Sequence, residues 1–345
     1  MNTRTTRTTR AGGAGVLLIG CLSACGGLSA PGSAPPQIGI DVPRADSDFW
    51  KAYAKYIQQE ITEQHLNVLP LTHSNGDEDT FAKNVQSLAS RHPKSVVIAP
   101  QNTRNSDALL GRLWADNVHA VSVDTEPEHG EVYMVVRTDN RSYGTKACEF
   151  LGRQLRGKGK VAELQGSLDS INGYERSEAF GTCMRRGFPG IEVIALPTEW
   201  KGDVAAGKLQ ATLAANPDLN GIYMQAGGVF LQPTLDVLRQ KGLLKPAGQP
   251  GHLTIVSNDG IPAELDAIRR GEIDATVNQP ADLYAKYALF YAQAAAEGRT
   301  FQPGPTDHNS TIVQLPNGLE DQVPSALITR DNVDDKSLWA NNLDK

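Results

Sequence analysis

Two aspartates and an arginine stand where an α/β chain most readily does chemistry. Asp124 follows the apolar run AVSV and Asp259 follows TIVSN, so each carboxylate lies just past a predicted strand. Such a carboxylate can accept two hydrogen bonds from adjacent hydroxyls, each charge-assisted bond contributing about 1.5–3 kcal/mol. The same position also suits a helix N-cap or a turn aspartate, and each residue alone supports both readings. Equivalent placement in two successive α/β units favours a shared ligand. Arg176, in GYERSEAF, falls in the first turn of a predicted helix, where Glu175 and Glu178 suit the dipole and an arginine does not. Its planar fork could hold a ring oxygen and a neighbouring hydroxyl together. The alternative is a surface ion pair with Glu175, Glu178 or Glu199, which contributes little.

Phe49, Trp50 and Trp200 sit in or beside predicted loops. Flat apolar rings pack on the C–H face of a sugar while polar groups read its edge. Trp50 also fits a core position at the start of a helix; Trp200, in PTEWKGD, fits a core less easily. Gln279 would offer its amide to a hydroxyl where the chain crosses between lobes. Catalytic motifs are missing from the sequence: it has no G-x-S-x-G elbow, no P-loop and no G-x-G-x-x-G after a strand. Asp124 and Asp259 could form a glycosidase pair, but nothing marks one as an acid with a raised pKa. The seven histidines are scattered without C-x-x-C or H-x-x-x-H, so the sequence calls for no metal and no cofactor.

These side chains need a scaffold, and periodicity supplies one. Predicted strands at 37–42, 66–71, 95–99, 119–123 and 132–136 alternate with helices at 49–65, 80–91 and 107–117. The alternation restarts with strands at 160–165, 192–196, 221–225, 254–257 and 275–278. Helices at 142–155, 174–186, 204–216, 230–241, 262–270 and 281–296 accompany them. Strand–helix alternation implies doubly wound parallel sheets, which bind ligands outside the carboxyl ends of their strands. Two such halves face to face would set Asp124, Arg176 and Asp259 around one cleft.

The N-terminus is informative in another way. Arg4, Arg7 and Arg10 precede an apolar run ending in Leu22-Ser23-Ala24-Cys25, the pattern of a secretory signal too short to span a bilayer. The four closing residues resemble the lipobox of bacterial lipoproteins, which implies cleavage before Cys25 and a lipid on its sulfur. An ordinary signal cut near Ala30 is the alternative. Either way the protein is expected outside the cytoplasmic membrane, touching that membrane through a lipid anchor only. Residues 26–36, GGLSAPGSAPP, read as a flexible tether. Loss of three arginines would take the formal charge from −6 to −9. A net acidic chain without basic clusters argues against nucleic acid as a partner. Cys148 and Cys183 remain after processing, either bridged or as two buried thiols.

Taken in order, DSDFWKAYAK, VSVDTE, RTDNRSYGTKA, VAELQG with GYERSEAF, IVSNDG and GEIDATVNQ resemble the sugar-binding proteins of bacterial ABC importers. The likeness is to the ribose-binding-like group with the type-I periplasmic binding protein fold. That resemblance implies two α/β lobes joined by a three-strand hinge, one of residues 37–138 plus 280–307 and the other of 139–279 plus 308–345. It implies Phe49 and Trp50 flanking a sugar ring beside Ser47, hydroxyls bound by Asp124, Arg176 and Asp259, Trp200 over the other ring face, and Gln279 at the last crossover. It departs from the group in two places. Thr125 stands where an arginine is usual, and Ala226-Gly227 stands where Asn-Asp is usual. The implied ligand is a small neutral sugar, polyol or cyclitol, carried by a monomer to an ABC permease. A sensor of the same fold is the alternative, and an extracellular carbohydrate-active enzyme is the more distant one.

Overall fold

The computed structural model describes residues 37–343; the expected signal, the tether and Cys25 lie outside them. The chain begins with β1 (Ile38–Val42), α1 (Asp48–Glu63), β2 (Thr72–His73), α2 (Glu78–Ala89), β3 (Ser95–Ile98), α3 (Asp107–Ala115), β4 (His119–Val123) and β5 (Met134–Arg137). It continues through α4 (Asn140–Gln154), β6 (Lys158–Gln165), α5 (Ile171–Gly187), β7 (Gly190–Pro197) and α6 (Gly202–Ala215). There follow β8 (Gly221–Met224), α7 (Gly227–Gln240), β9 (Thr254–Asp259), α8 (Pro262–Arg270) and β10 (Ala275–Asn278). The last elements are α9 (Ala281–Ala296), β11 (Gly304–Pro305), β12 (Thr311–Leu315), β13 (Gly318–Gln322) and β14 (Leu327–Thr329).

Two sheets result. The first has the order β11-β12-β13-β5-β4-β3-β1-β2 and the second β14-β10-β9-β8-β6-β7. Every pairing in the second is parallel except β14 on β10; in the first only β12 runs against its neighbours. Both faces of each sheet are covered, as parallel strands require. In the first lobe α1 and α9 bury Trp50, Tyr53, Ile57, Tyr284 and Leu289 on one face, and α2 and α3 bury Phe81, Val85, Leu110 and Leu113 on the other. In the second, α6, α7 and α8 supply Leu209, Phe230 and Leu265, while α4 and α5 supply Leu151, Phe180 and Met184 opposite. This is the α/β fold of two doubly wound lobes.

Three expectations need correction. The strand expected at 66–71 shrinks to Thr72–His73 and a single bridge from Ile38 to Val68, because Pro70 has no N–H to give to a ladder. The crossover expected near His308 does not occur there. β11, β12 and β13 extend the first sheet, and the chain passes to the second only at 323–326, before β14. Pro316-Asn317 turns β12 back on β13, and the Asn317 amide donates to the carbonyls of Pro127 and Gly130. The buried Asp321 then accepts from Tyr291 at 3.1 Å and from Ser310, and meets His308 Nε2 at 2.9 Å. Finally, the tail 330–343 does not belong to the second lobe alone. Leu338 packs in the core of the second lobe and Trp339 in that of the first, and Tyr56 of α1 donates to the Trp339 carbonyl at 2.9 Å.

Cys148 on α4 and Cys183 on α5 are joined as a disulfide, with Cα atoms 6.1 Å apart and a sequence separation of 35. Restricting a loop of that length in the unfolded chain stabilises the fold by about 3–4 kcal/mol in the chain-entropy account. The double variant Cys148→Ser/Cys183→Ser is therefore expected to lose about 2–4 kcal/mol in urea unfolding. An unchanged midpoint would show that the bridge constrains nothing.

Candidate binding cleft

The segments after the strands face one another across the gap between the lobes. From the first lobe, the β1–α1 loop brings Ser47, Phe49 and Trp50, and the turn after β4 brings Asp124. From the second, α5 brings Arg176, the turn before α6 brings Trp200, and the end of β9 brings Asp259. Gln279 follows β10, where the chain crosses between lobes. All eight of the side chains singled out in the sequence line one cavity, with about 480 Å3 of open space including its mouth. Arg44, Gln101, Thr125, Ser170 and Asn172 line it as well. The strand-end rule marks the segments that hold them, but nothing in their own types distinguishes them from loop residues.

Three of the lining residues hold left-handed backbone that non-glycine residues rarely adopt: Asp124 at φ 65°, Trp200 at 54° and Asp259 at 110°. Such strain gathers at functional sites, where the surroundings over-determine the conformation. Phe49 and Trp50 answer to both of their sequence readings. They are 3% and 7% exposed and stack edge-on, yet they wall the cavity. Phe49 also meets Tyr284 edge-on at 6.0 Å. The tip of the Trp200 ring lies so close over Gly166 that a Cβ there would meet it at 2.1 Å, and its plane stacks on Phe230.

Asp124 and Arg176 do not face each other bare. Gln279 Nε2 donates to Asp124 Oδ1 at 2.7 Å, and Arg176 Nη2 donates to Gln279 Oε1 at 3.0 Å. On the other side Asn172 Nδ2 donates to Asp124 Oδ2 at 2.8 Å, and Asn140 Nδ2 donates to Asn172 Oδ1 at 3.1 Å. Arg176 Nε closes the circuit onto Asn140 Oδ1 at 2.6 Å. Five side chains thus form a ring from the first lobe, through the crossover segments, to the second. The guanidinium is the source of donors in both directions and the carboxylate is the acceptor at the far end, which fixes the orientation of all three amides. Arg176 Nη1 also donates to the Gln225 carbonyl at 2.6 Å. Three of its five N–H groups are engaged, and two remain for a ligand.

Burial pushes Asp124 up to about 6, against the pull of Arg176 and Arg137. Asp259 is raised too, by burial first, with Arg176 and the backbone N–H of Gly228, 2.7 Å from Oδ2, opposing. One departure from the expected pattern, the glycine at 227, has a steric account. A Cβ at Gly227 would strike the Glu264 carboxylate at 2.0 Å, and one at Gly228 would meet Ser47 Oγ at 2.6 Å. Gly227 thus makes room for the Glu264 carboxylate of α8 within the second lobe, while the neighbouring Gly228 lets that lobe approach Ser47 and donates its backbone N–H to Asp259. Beside the ring, Arg137 at the end of β5 donates to Glu126 and Glu320 of the first lobe and to Glu175 of α5, at 2.5, 2.6 and 2.9 Å. Neither Arg137 nor this second cross-lobe tie is marked by residue type or position in the sequence.

Behind the cavity Glu163 of β6 is buried, accepts from Gln225 at 2.8 Å and is raised by burial to about 8. The unfolded chain releases that proton near the ordinary carboxylate pKa, about 4. Below that pH both states are protonated and the burial costs nothing. From there to pH 8 the folded state keeps a proton that the unfolded state has lost, so stability falls as pH rises. Glu163→Gln is expected to flatten the decline of melting temperature between pH 5 and 8; parallel profiles for variant and parent would contradict this.

The profile of the periplasmic binding protein domain matches residues 38–300. The D-allose-binding periplasmic protein of Escherichia coli is 23% identical over 282 residues, 79% of this chain and 88% of that protein. The xylitol-binding protein of Mycolicibacterium smegmatis is 24% identical over 324 residues, 93% and 85%. Among solved structures, an ABC transporter solute-binding protein of Mycobacterium smegmatis with bound glycerol superposes with a TM-score of 0.74 at 22% identity, covering 86% of this chain and 95% of that one. The first two of these relatives are named as binding proteins. With its two doubly wound lobes and a profile match over most of its length, the chain belongs to the periplasmic binding protein domain family.

Proposed function

We propose that the protein is an extracytoplasmic receptor of an ABC importer. It captures one neutral, hydroxyl-rich unit, a monosaccharide or polyol, between its lobes and presents it to the permease. A lipid on Cys25 would hold it at the membrane. The observation that carries this is the cavity itself. Phe49, Trp50 and Trp200 supply ring-sized apolar walls, and the buried charges of Asp124, Arg176 and Asp259 approach from both lobes. Relatives named for allose, xylitol and ribose binding support the ligand class. A solute that touches both lobes in the closed form stabilises that form, which is what a transporter must recognise.

A thermal-shift screen of pentoses, hexoses, polyols and cyclitols on residues 37–345 tests the reading, because a ligand of the folded state raises the melting temperature by mass action. A carbohydrate or polyol is expected to register; amino-acid hits alone would overturn the ligand class.

Asp259→Ala is expected to weaken the best sugar at least tenfold in calorimetry, the loss of one charge-assisted bond, and to fold normally. Arg176→Ala is expected to weaken binding as much and to destabilise the protein as well, since it orphans Asn140 and Gln279. Retained affinity in both would move the site elsewhere.

Hydroxyls donate best to ionised carboxylates. With Asp124 at about 6 and Asp259 also raised, affinity is expected to be highest at pH 8 and to fall progressively as pH drops through 7 and 6. Affinity that rises on acidification would contradict the assigned roles.

A further inference from the structure

Resting on the receptor reading, we infer that the ligand carries a second polar unit, as a glycoside or disaccharide does, and that this unit occupies an outer cavity beyond Arg44 and Trp200. That cavity has about 880 Å3 of open space, its mouth included, against about 480 Å3 for the inner one. Arg44, Trp200 and Val229 line both, so the two adjoin without an intervening layer.

Arg44 is the feature that points to a ligand. Its Nε and Nη2 donate to Asp46 at 2.8 and 2.7 Å, and its stem packs on Gly76. The side chain is only 16% exposed, yet Nη1 has no acceptor among the described residues, so three of five N–H groups are unused. A guanidinium with idle donors at the junction of two cavities suits hydroxyl or ring oxygens spanning them.

The outer walls are two opposed turns, each with consecutive residues at positive φ. Asn75 and Gly76 lie at 52° and 77° in the first lobe, and Glu199 and Trp200 at 53° and 54° in the second. They present Asn75, Glu199, Lys201 and Asp203, whose side chains bond nothing among the described residues. Donors and acceptors of both signs around open space match a neutral polyhydroxylated unit better than an ion. The Trp200 ring adds an apolar surface at the junction.

Calorimetry would use ribose, arabinose, allose, galactose and glucose, each beside its methyl glycoside and a disaccharide carrying that residue at its non-reducing end. At least one substituted ligand is expected to bind tenfold or more tighter than its parent sugar. Lys201→Trp, a bulky change at a residue that lines the outer cavity and not the inner one, is expected to remove that gain while leaving the parent's Kd within twofold. Substituted ligands that all bind tenfold weaker than a bound parent would overturn the outer site and leave the receptor reading intact. So would a gain that survives Lys201→Trp. Failure of every sugar, parent and substituted, would overturn the outer site and leave the receptor reading to the polyols and cyclitols of the thermal-shift screen.

Discussion

Opposite charges on opposite lobes, joined through amides, are the constraint on which the rest depends. A buried carboxylate and a buried guanidinium are each costly to desolvate unless every polar atom finds a partner. Asp124 and Arg176 meet that condition through Gln279 on one side and through Asn172 and Asn140 on the other. Each amide passes donor character from the arginine toward the aspartate, so the ring has one sense and one geometry. The two segments that contribute Asn140 and Gln279 are crossover segments. The ring therefore ties the proposed recognition residues directly to the segments that cross between the lobes.

The surrounding structure serves that placement. Parallel strands end at the cleft, and the turns that follow are held in rare backbone conformations, so carboxylates aim inward instead of capping helices. Gly228 lets α7 approach the β1–α1 loop, and Gly227 leaves room for Glu264 of α8. Arg137 gathers Glu126, Glu320 and Glu175 beside the same crossover. Since Glu175 precedes Arg176 on α5, the outer tie and the inner ring set the same helical turn. On the proposed function, lobe closure and ligand contact would be coupled through a handful of adjacent side chains.

Much of this was legible in the sequence because two rules act locally. Hydrophobic periodicity marks strands and helices, and strand ends mark ligand loops, so Asp124, Asp259 and Gln279 could be located from position alone. Arg176 stands out in the sequence as a cation in a helix's first turn, but α5 begins at Ile171 and places it in the second turn, so the dipole argument does not hold even though Arg176 lines the cleft. The amides Asn140 and Asn172 were not, since asparagine near a helix start is ordinary and its partners are distant in sequence. Arg137 gave no signal, because its three acceptors come from positions 126, 175 and 320. The extension of the first sheet by β11 to β13 was also missed. Its strands are short, and their pairing rests on a hairpin turn and on Asp321, whose partners Ser310, His308 and Tyr291 are set by the fold.

The central claim is that a hydroxyl-rich solute is held by both lobes at once. Small-angle X-ray scattering of the mature domain, with and without a saturating sugar from the binding screen, tests it most directly. The account predicts a smaller radius of gyration on saturation in the parent and no contraction in Gly228→Val, whose side chain would occupy the space of Ser47 Oγ. A bound sugar with an unchanged radius in the parent would contradict it.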